Sequence, residues 1–206
     1  PNKIKISKEI IATLPIETFP GKIVVIDNER DADNAVLQLN NERIIGFDTE
    51  TRPTFKKGKS NHVALIQLST HDTCYLFRIN RIGFTPAIKN LLENESLLKV
   101  GISLKDDFCM LSRLNGGQFI PKNFIELQKF VKKYNIEDQS LQKIYGIVIG
   151  KKISKGQRLS NWEADHLTEN QQLYAATDAW SCIKIYEVLK SGKFKSPIYK
   201  IQPSSL

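Results

Sequence analysis

An α/β domain is what this sequence predicts. Two observations carry that reading: short apolar runs with strand character alternate with segments of helical period, and polar or glycine stops bound those segments. GKIVVID, from Gly21 to Asp27, reads as the first strand, and ERDADNAVLQLN reads as a helix ending before Asn40-Asn41. IIGFD, from Ile44, is the next strand. HVALIQLS and CYLFRI flank the short polar THDT, which predicts a hairpin. TPAIKNLLEN is then helical, LLKVGIS extended, and DDFCMLSRLNG helical with a glycine stop. NFIELQKFVKKYN and SLQKIYGIVIG read as two further helices, followed by a basic loop. The most periodic segment comes last, LTENQQLYAATDAWSCIKIYEVLKSG. There Thr168 and Gln171 fit a capping box, and Gly192 offers the stop.

The 206 residues suit one large domain or two small ones, and a hydrophobic content of 41% is enough for a sizeable core. We read residues 1–206 as a single domain whose polar tail, 191–206, adds little to that core. These residues leave no room for a helicase or an appended helical nucleic-acid-binding domain. Cys74, Cys109 and Cys182 are odd in number and far apart, which excludes a disulfide framework and a Cys-x-x-Cys metal site. They are expected to be reduced, mostly buried thiols of an intracellular protein, cytoplasmic or nuclear. No apolar run approaches the ~20 residues needed to span a bilayer, so no membrane partner is expected.

Thirty Lys and Arg stand against 22 Asp and Glu, a formal charge of +8 that suits either a polyanionic partner such as nucleic acid or merely a lysine-rich surface. Basic residues gather in two loops, Lys56-Lys57-Gly58-Lys59 and 151–158, which could track phosphates.

The stretch IIGFDTET sets two acids on the end of an apolar strand. Strand side chains alternate faces, so Asp48 and Glu50 point the same way, roughly 7 Å apart along the backbone. Like charges so close need a cation. An Asp-x-Glu is expected about once by chance in such a chain, so the pair gains meaning from company. On the last helix Tyr174 and Asp178 are four residues apart and share a face, while Leu173, Ala176, Trp180 and Ile183 fall mostly on a core stripe.

FDTET, VALIQLS followed by CYLF, VGISLKDDFCML, and above all RLSNWEADHLTENQQLYAATDAWSCIKIY make the chain resemble the 3′-to-5′ exonucleases of the ribonuclease-H-like superfamily that carry four acids and a tyrosine. The resemblance covers about residues 21–190. It is strongest to exonuclease domains of the Werner-helicase type, with ribonuclease D more distant. It implies a twisted mixed sheet with helices on both sides and acids gathered above its centre. Asp48 and Glu50 match the first motif, and Tyr174 with Asp178 the third. For the second, Asp107 fits better than Asp106, because Gly101, Phe108 and Leu111 then fall at the family's spacing. The chain departs from helicase-linked members at Cys109, where they carry an aromatic.

The resemblance implies a nucleic acid with a free 3′ end as substrate and two divalent cations, Mg²⁺ or Mn²⁺, as cofactors. Two such ions about 3.5–4 Å apart stabilise the attacking and leaving oxygens of a phosphodiester, and hard oxygen ligands suit both metals. It also implies that Asp48 bridges the ions, that Glu50 and Asp178 complete the site activating water, that Asp107 holds the second ion, and that Tyr174 orients the water. Thr49, Lys152, Arg158 and Trp162 are candidate nucleic-acid contacts, although Lys152 and Arg158 read equally as part of a solvated loop and Trp162 reads more readily as a packing anchor before a helix. Two alternatives share this fold: a catalytically silent nucleic-acid-binding or scaffold module, and a ribonuclease-D-like RNA trimmer. Degenerate members are expected to lose acids, and here all four are present.

Overall fold

The structure, a computed structural model, describes residues 3–55, 58 and 61–195. Lysines 56, 57 and 59 of the first basic loop, and the tail from 196 onward, lie outside the described residues. Six strands form one sheet: β1 (Lys22–Ile26), β2 (Ile44–Thr51), β3 (Val63–Ser69), β4 (Thr73–Phe77), β5 (Leu98–Gly101) and β6 (Phe124–Glu126), in the order β1-β4-β3-β2-β5-β6. β3 runs antiparallel to β2 and β4, and the remaining neighbours pair in parallel. The helices are α1 (Lys8–Thr13), α2 (Glu29–Leu39), α3 (Ile79–Ile82), α4 (Pro86–Leu92), α5 (Leu104–Leu114), α6 (Leu127–Phe130), α7 (Leu141–Ile149) and α8 (Glu169–Lys190).

The alternation of side chains along β2 decides the layering. Ile45 and Phe47 point into an apolar cluster shared with α2, α4 and α5, through residues such as Leu39, Leu92 and Leu111. On the other face α8 packs against the sheet, its Ala175 and Ala176 gathered with Leu65, Cys74 and Leu76. A third cluster joins α7 and α8 to β5 and α6 through Val100, Leu127, Ile147 and Ile185. Helices therefore cover both faces, as the ribonuclease-H-like arrangement requires. α8 begins at the capping box of Thr168 and Gln171 and is buried on several sides, which is why small residues line it. Gly46 sets the closeness of that packing, since a Cβ there would lie 1.9 Å from the Ala179 carbonyl oxygen. Only glycine admits α8 so near to β2.

The structure corrects three expectations about elements. Residues 123–135 do not form one helix: Phe124–Glu126 pair with β5 as an edge strand, then α6 and a 3₁₀ turn (Val131–Tyr134) follow. Apolar residues at 124, 125, 127, 130 and 131 suit a helix or a short strand followed by one, and pairing with β5 decides. CYLFRI ends as a strand at Phe77, because Arg78 opens α3, and its side chain donates to the Asp165 and Ala164 carbonyls. The tail's start also reaches the core, with Phe194 edge-on to Tyr134 at 6.2 Å. The segment before β1, for which the sequence predicts no element, forms α1 and makes bridges Ile4 to Ile136 and Ile16 to Lys152. Cys74 and Cys182 are buried as expected, but Cys109 is exposed.

Candidate active site

β2 carries Asp48 and Glu50 onto the face that α8 covers, and the Gly46 approach brings the middle of α8 directly over them. Each of Asp48, Glu50 and Asp178 offers a carboxylate oxygen, and these oxygens lie within 4.8 Å of one another. The β2–β3 register shifts between Glu50 and Thr51, an irregularity that falls next to the site. Asp107, on the first turn of α5, joins from a third element: Thr49 Oγ1 donates to its carboxylate, and the Thr49 amide donates to Asp48 Oδ1 at 2.9 Å. Asp106 is exposed on the same helix. Of the two adjacent acids, Asp107 is therefore the one that meets the end of β2.

Burial raises the pKa values of all four acids, and for Asp48 and Glu50 the neighbouring carboxylates add to it. Burial pushes Glu50 up to about 10, and the neighbouring Asp48 and Asp178 carboxylates push the same way. Burial raises Asp178 to about 8, partly opposed by the Tyr174 hydroxyl. Asp48 is driven well above the ordinary carboxylate range by burial and then by Asp178 and Asp107. Asp107 rises to about 6, burial outweighing the Thr49 hydrogen bond. Burial and the surrounding acids also raise the Tyr174 phenol, which stays protonated. Asp48, Glu50 and Asp178 could together hold a hard cation, which would replace shared protons and cancel the repulsion. A buried oxygen without a hydrogen-bond partner, Asp178 Oδ1, fits the same purpose.

Around the acids, Arg158 is exposed but close enough for its charge to favour ionised Glu50. Two other expected nucleic-acid contacts are corrected. Lys152 donates from Nζ to the Ala12 carbonyl at 2.7 Å, and its backbone pairs with Pro15 and Glu17, so it anchors the N-terminal segment. Trp162 is fully buried and lies 6.0 Å from the Tyr174 ring, a packing anchor with no face open to a base. Gln67 went unread in the sequence. It pairs directly across from Asp48 on β3 and is fully buried, with both amide atoms lacking a partner. A glutamine inside the apolar run Val63–Leu68 was the available signal. Glu126 was also missed; its carboxylate accepts from the Ser103 and Leu104 amides and so fixes the N-terminus of the helix carrying Asp107.

A ribonuclease-H-like sheet with carboxylates converging from a central strand and two helices, beside a protonated tyrosine, defines a nuclease-type domain. The family model described as 3′-5′ exonuclease matches residues 23–192, and the chain belongs to that family. It is 37% identical over 188 residues to the bifunctional 3′-5′ exonuclease/ATP-dependent helicase WRN of Mus musculus, a match covering 85% of this chain but 13% of that protein. Among solved structures it resembles the Nibbler EXO domain of Aedes aegypti, with a TM-score of 0.76, 23% identity, and 90% and 94% of the two chains covered. It also resembles Trypanosoma brucei RNase D in complex with RNA U12, with a TM-score of 0.74 and 19% identity over 87% of this chain and 65% of that one. The structural likenesses speak for the fold. Among the described residues no helix is long and apolar enough to cross a membrane.

Proposed function

We propose that this chain is a divalent-metal-dependent 3′-5′ exonuclease that hydrolyses the terminal phosphodiester of a nucleic acid and releases nucleoside 5′-monophosphates. The observation that carries this reading is the approach of the Asp48, Glu50 and Asp178 oxygens within 4.8 Å, with Asp107 tied in through Thr49. Asp48, Glu50 and Asp178 would hold one ion, and Asp48 with Asp107 a second, Mg²⁺ or Mn²⁺ in each case. When bound, such ions neutralise charge on the attacking and leaving oxygens.

The chain's own residues do the positioning. Tyr174, protonated and beside Asp178, orients a water for attack on phosphorus. The bond from phosphorus to the 3′ oxygen breaks, leaving a 5′-monophosphate and a new 3′-hydroxyl. Arg158 meets the phosphate from the solvent side. Retention of all four acids and the tyrosine favours activity over a silent binding module.

The test is chromatography of the products from a short oligonucleotide incubated with wild-type protein and with Asp48→Ala. Nucleoside 5′-monophosphates from the wild type alone are expected. Nucleoside 3′-monophosphates, or equal turnover by the variant, would overturn the reading.

A further inference from the structure

One stretch of the surface is hollowed into a trough that the chemistry above does not use and that none of the four acids lines. Its near section, about 760 Å³, opens at Asp106, the neighbour of Asp107, and contains Phe108 and Phe124, whose ring centroids lie 4.7 Å apart. Its far section, about 850 Å³, lies between the N-terminal segment and the loop 135–140. Lys132 and Gln139 line both sections, so the two run together.

The charge of this trough is unevenly satisfied. Glu137 is held by Lys3 and Lys5, Asp138 by Lys143 at 2.9 Å, and Glu126 by backbone amides, which leaves Asp106 as the one acid of the lining with neither an ion pair nor a backbone amide on its carboxylate among the described residues. Lys105, Lys129, Lys132 and Lys155 also line it, and none has an ion pair among the described residues. A line of unneutralised ammonium groups leading away from two partly exposed phenylalanines is complementary to a phosphate backbone whose bases are free to stack. A duplex offers no such free faces, and an acidic peptide would leave the rings unused.

We propose that this trough binds single-stranded nucleic acid upstream of the scissile nucleotide, with phosphates along Lys129, Lys132 and Lys155 and a base against Phe108 and Phe124. It rests on the exonuclease reading only for the direction in which the strand lies. Affinity then grows with strand length until the trough is filled, at roughly 4–16 nucleotides for a groove of this kind.

The experiment measures binding of fluorescent thymidine oligonucleotides, a trimer and a dodecamer, across a salt series. The protein is the full chain carrying Asp48→Ala, so that hydrolysis does not intervene. Two triple variants are compared in that background: Lys129→Ala/Lys132→Ala/Lys155→Ala, and a charge-matched Lys8→Ala/Lys22→Ala/Lys190→Ala. Melting curves check that each is folded, and the single Lys132→Ala stands in if the trough triple is not. The dodecamer is expected to bind about tenfold or more tighter than the trimer, and the trough triple to lose that advantage. Its log–log salt slope should fall by about 2, as three lost phosphate contacts require, while the matched triple keeps both. Equal losses in the two triples, no length dependence, or tighter binding of a blunt duplex or a poly-glutamate peptide than of the dodecamer would overturn the trough. Wild-type hydrolysis of the trimer is followed separately, so failure of the exonuclease reading and failure of the trough give different results.

Discussion

At Asp48 the same carboxylate that serves the site strains the metal-free protein, because burial and two neighbouring acids oppose its ionisation. Asp48→Asn should therefore abolish hydrolysis while raising the metal-free melting temperature at pH 8, by about 2–4 °C for each kcal/mol of relieved repulsion. Calorimetry and a turnover assay on the same preparation check this; a less stable variant would mean that the repulsion is misjudged. Tyr174→Phe deletes a hydroxyl and leaves the ring stacked near Trp162. Single-turnover cleavage should slow by ~10²-fold or more, about 3 kcal/mol of barrier, with Mn²⁺ affinity barely changed. Loss of metal in that variant would make the tyrosine a ligand rather than an orienting group. Asp107→Asn should cost orders of magnitude in turnover and Asp106→Asn little, since adjacent helix positions point about 100° apart. At this scale the acids and the tyrosine were legible because their spacing follows strand and helix periods. Lys152 misled because side-chain type says nothing of direction, whereas Trp162 follows its packing-anchor reading, and Gln67 was missed because its meaning depends on the residue across the β-ladder.

The N-terminal segment, most of it preceding the residues matched by the family model, is clasped to the element that carries Tyr174 and Asp178. Glu17 takes hydrogen bonds from Lys151 at 2.7 Å, from Lys184 on α8 at 2.8 Å, and from the Tyr145 hydroxyl. Phe19 donates its amide to Thr177 Oγ1 at 3.0 Å and meets Trp180 edge-on. Burial alone would raise the Glu17 pKa, but these partners outweigh it and bring it down to about 2. A depressed carboxylate pKa stabilises the fold fully above the unfolded value of 4.5, and that contribution fades as pH falls toward 2. Glu17→Ala should lower the melting temperature at pH 7 by several degrees and much less at pH 3. Equal losses at both values would reduce the clasp to simple packing. The clasp was illegible in the sequence because a bridge between residues 17 and 184 leaves no local pattern. β6 was misread for a related reason: three residues are too few to show a period, and its partner strand lies about twenty-five positions upstream. By contrast, the two ends of α8 could be read in advance, as its cap and stop are local chemistry.

Across the whole molecule the site makes stability depend on pH and metal in opposite senses. Glu50 at about 10, Asp178 at about 8 and Asp107 at about 6 all lie above their ordinary values of 4.5, 3.8 and 3.8. The folded protein thus keeps protons that the unfolded chain releases. Their contribution to stability is complete below about pH 4 and is lost progressively as pH rises through 6, 8 and 10. Metal-free protein should therefore melt at lower temperature at pH 9 than at pH 5, while the stabilisation added by Mn²⁺ grows over the same range as the displaced protons become easier to release. A sheet order with β2 at its centre and helices on both faces is what brings three elements to one point. That architecture followed from alternation and resemblance, whereas the lysine trough gathers residues of α5, α6, the 3₁₀ turn and the loop at Lys155, which are distant in sequence.

The central claim is that these acids bind divalent metal in order to cut from a 3′ end. It is tested most directly by a time course on a 5′-labelled single strand, resolved at single-nucleotide steps, with Mg²⁺, Mn²⁺ or excess chelator. We predict a ladder of labelled products that shortens one nucleotide at a time from the 3′ end with either metal, and no reaction with chelator. Immediate release of labelled mononucleotide from intact strands, internal cuts, or undiminished cleavage in chelator would contradict it.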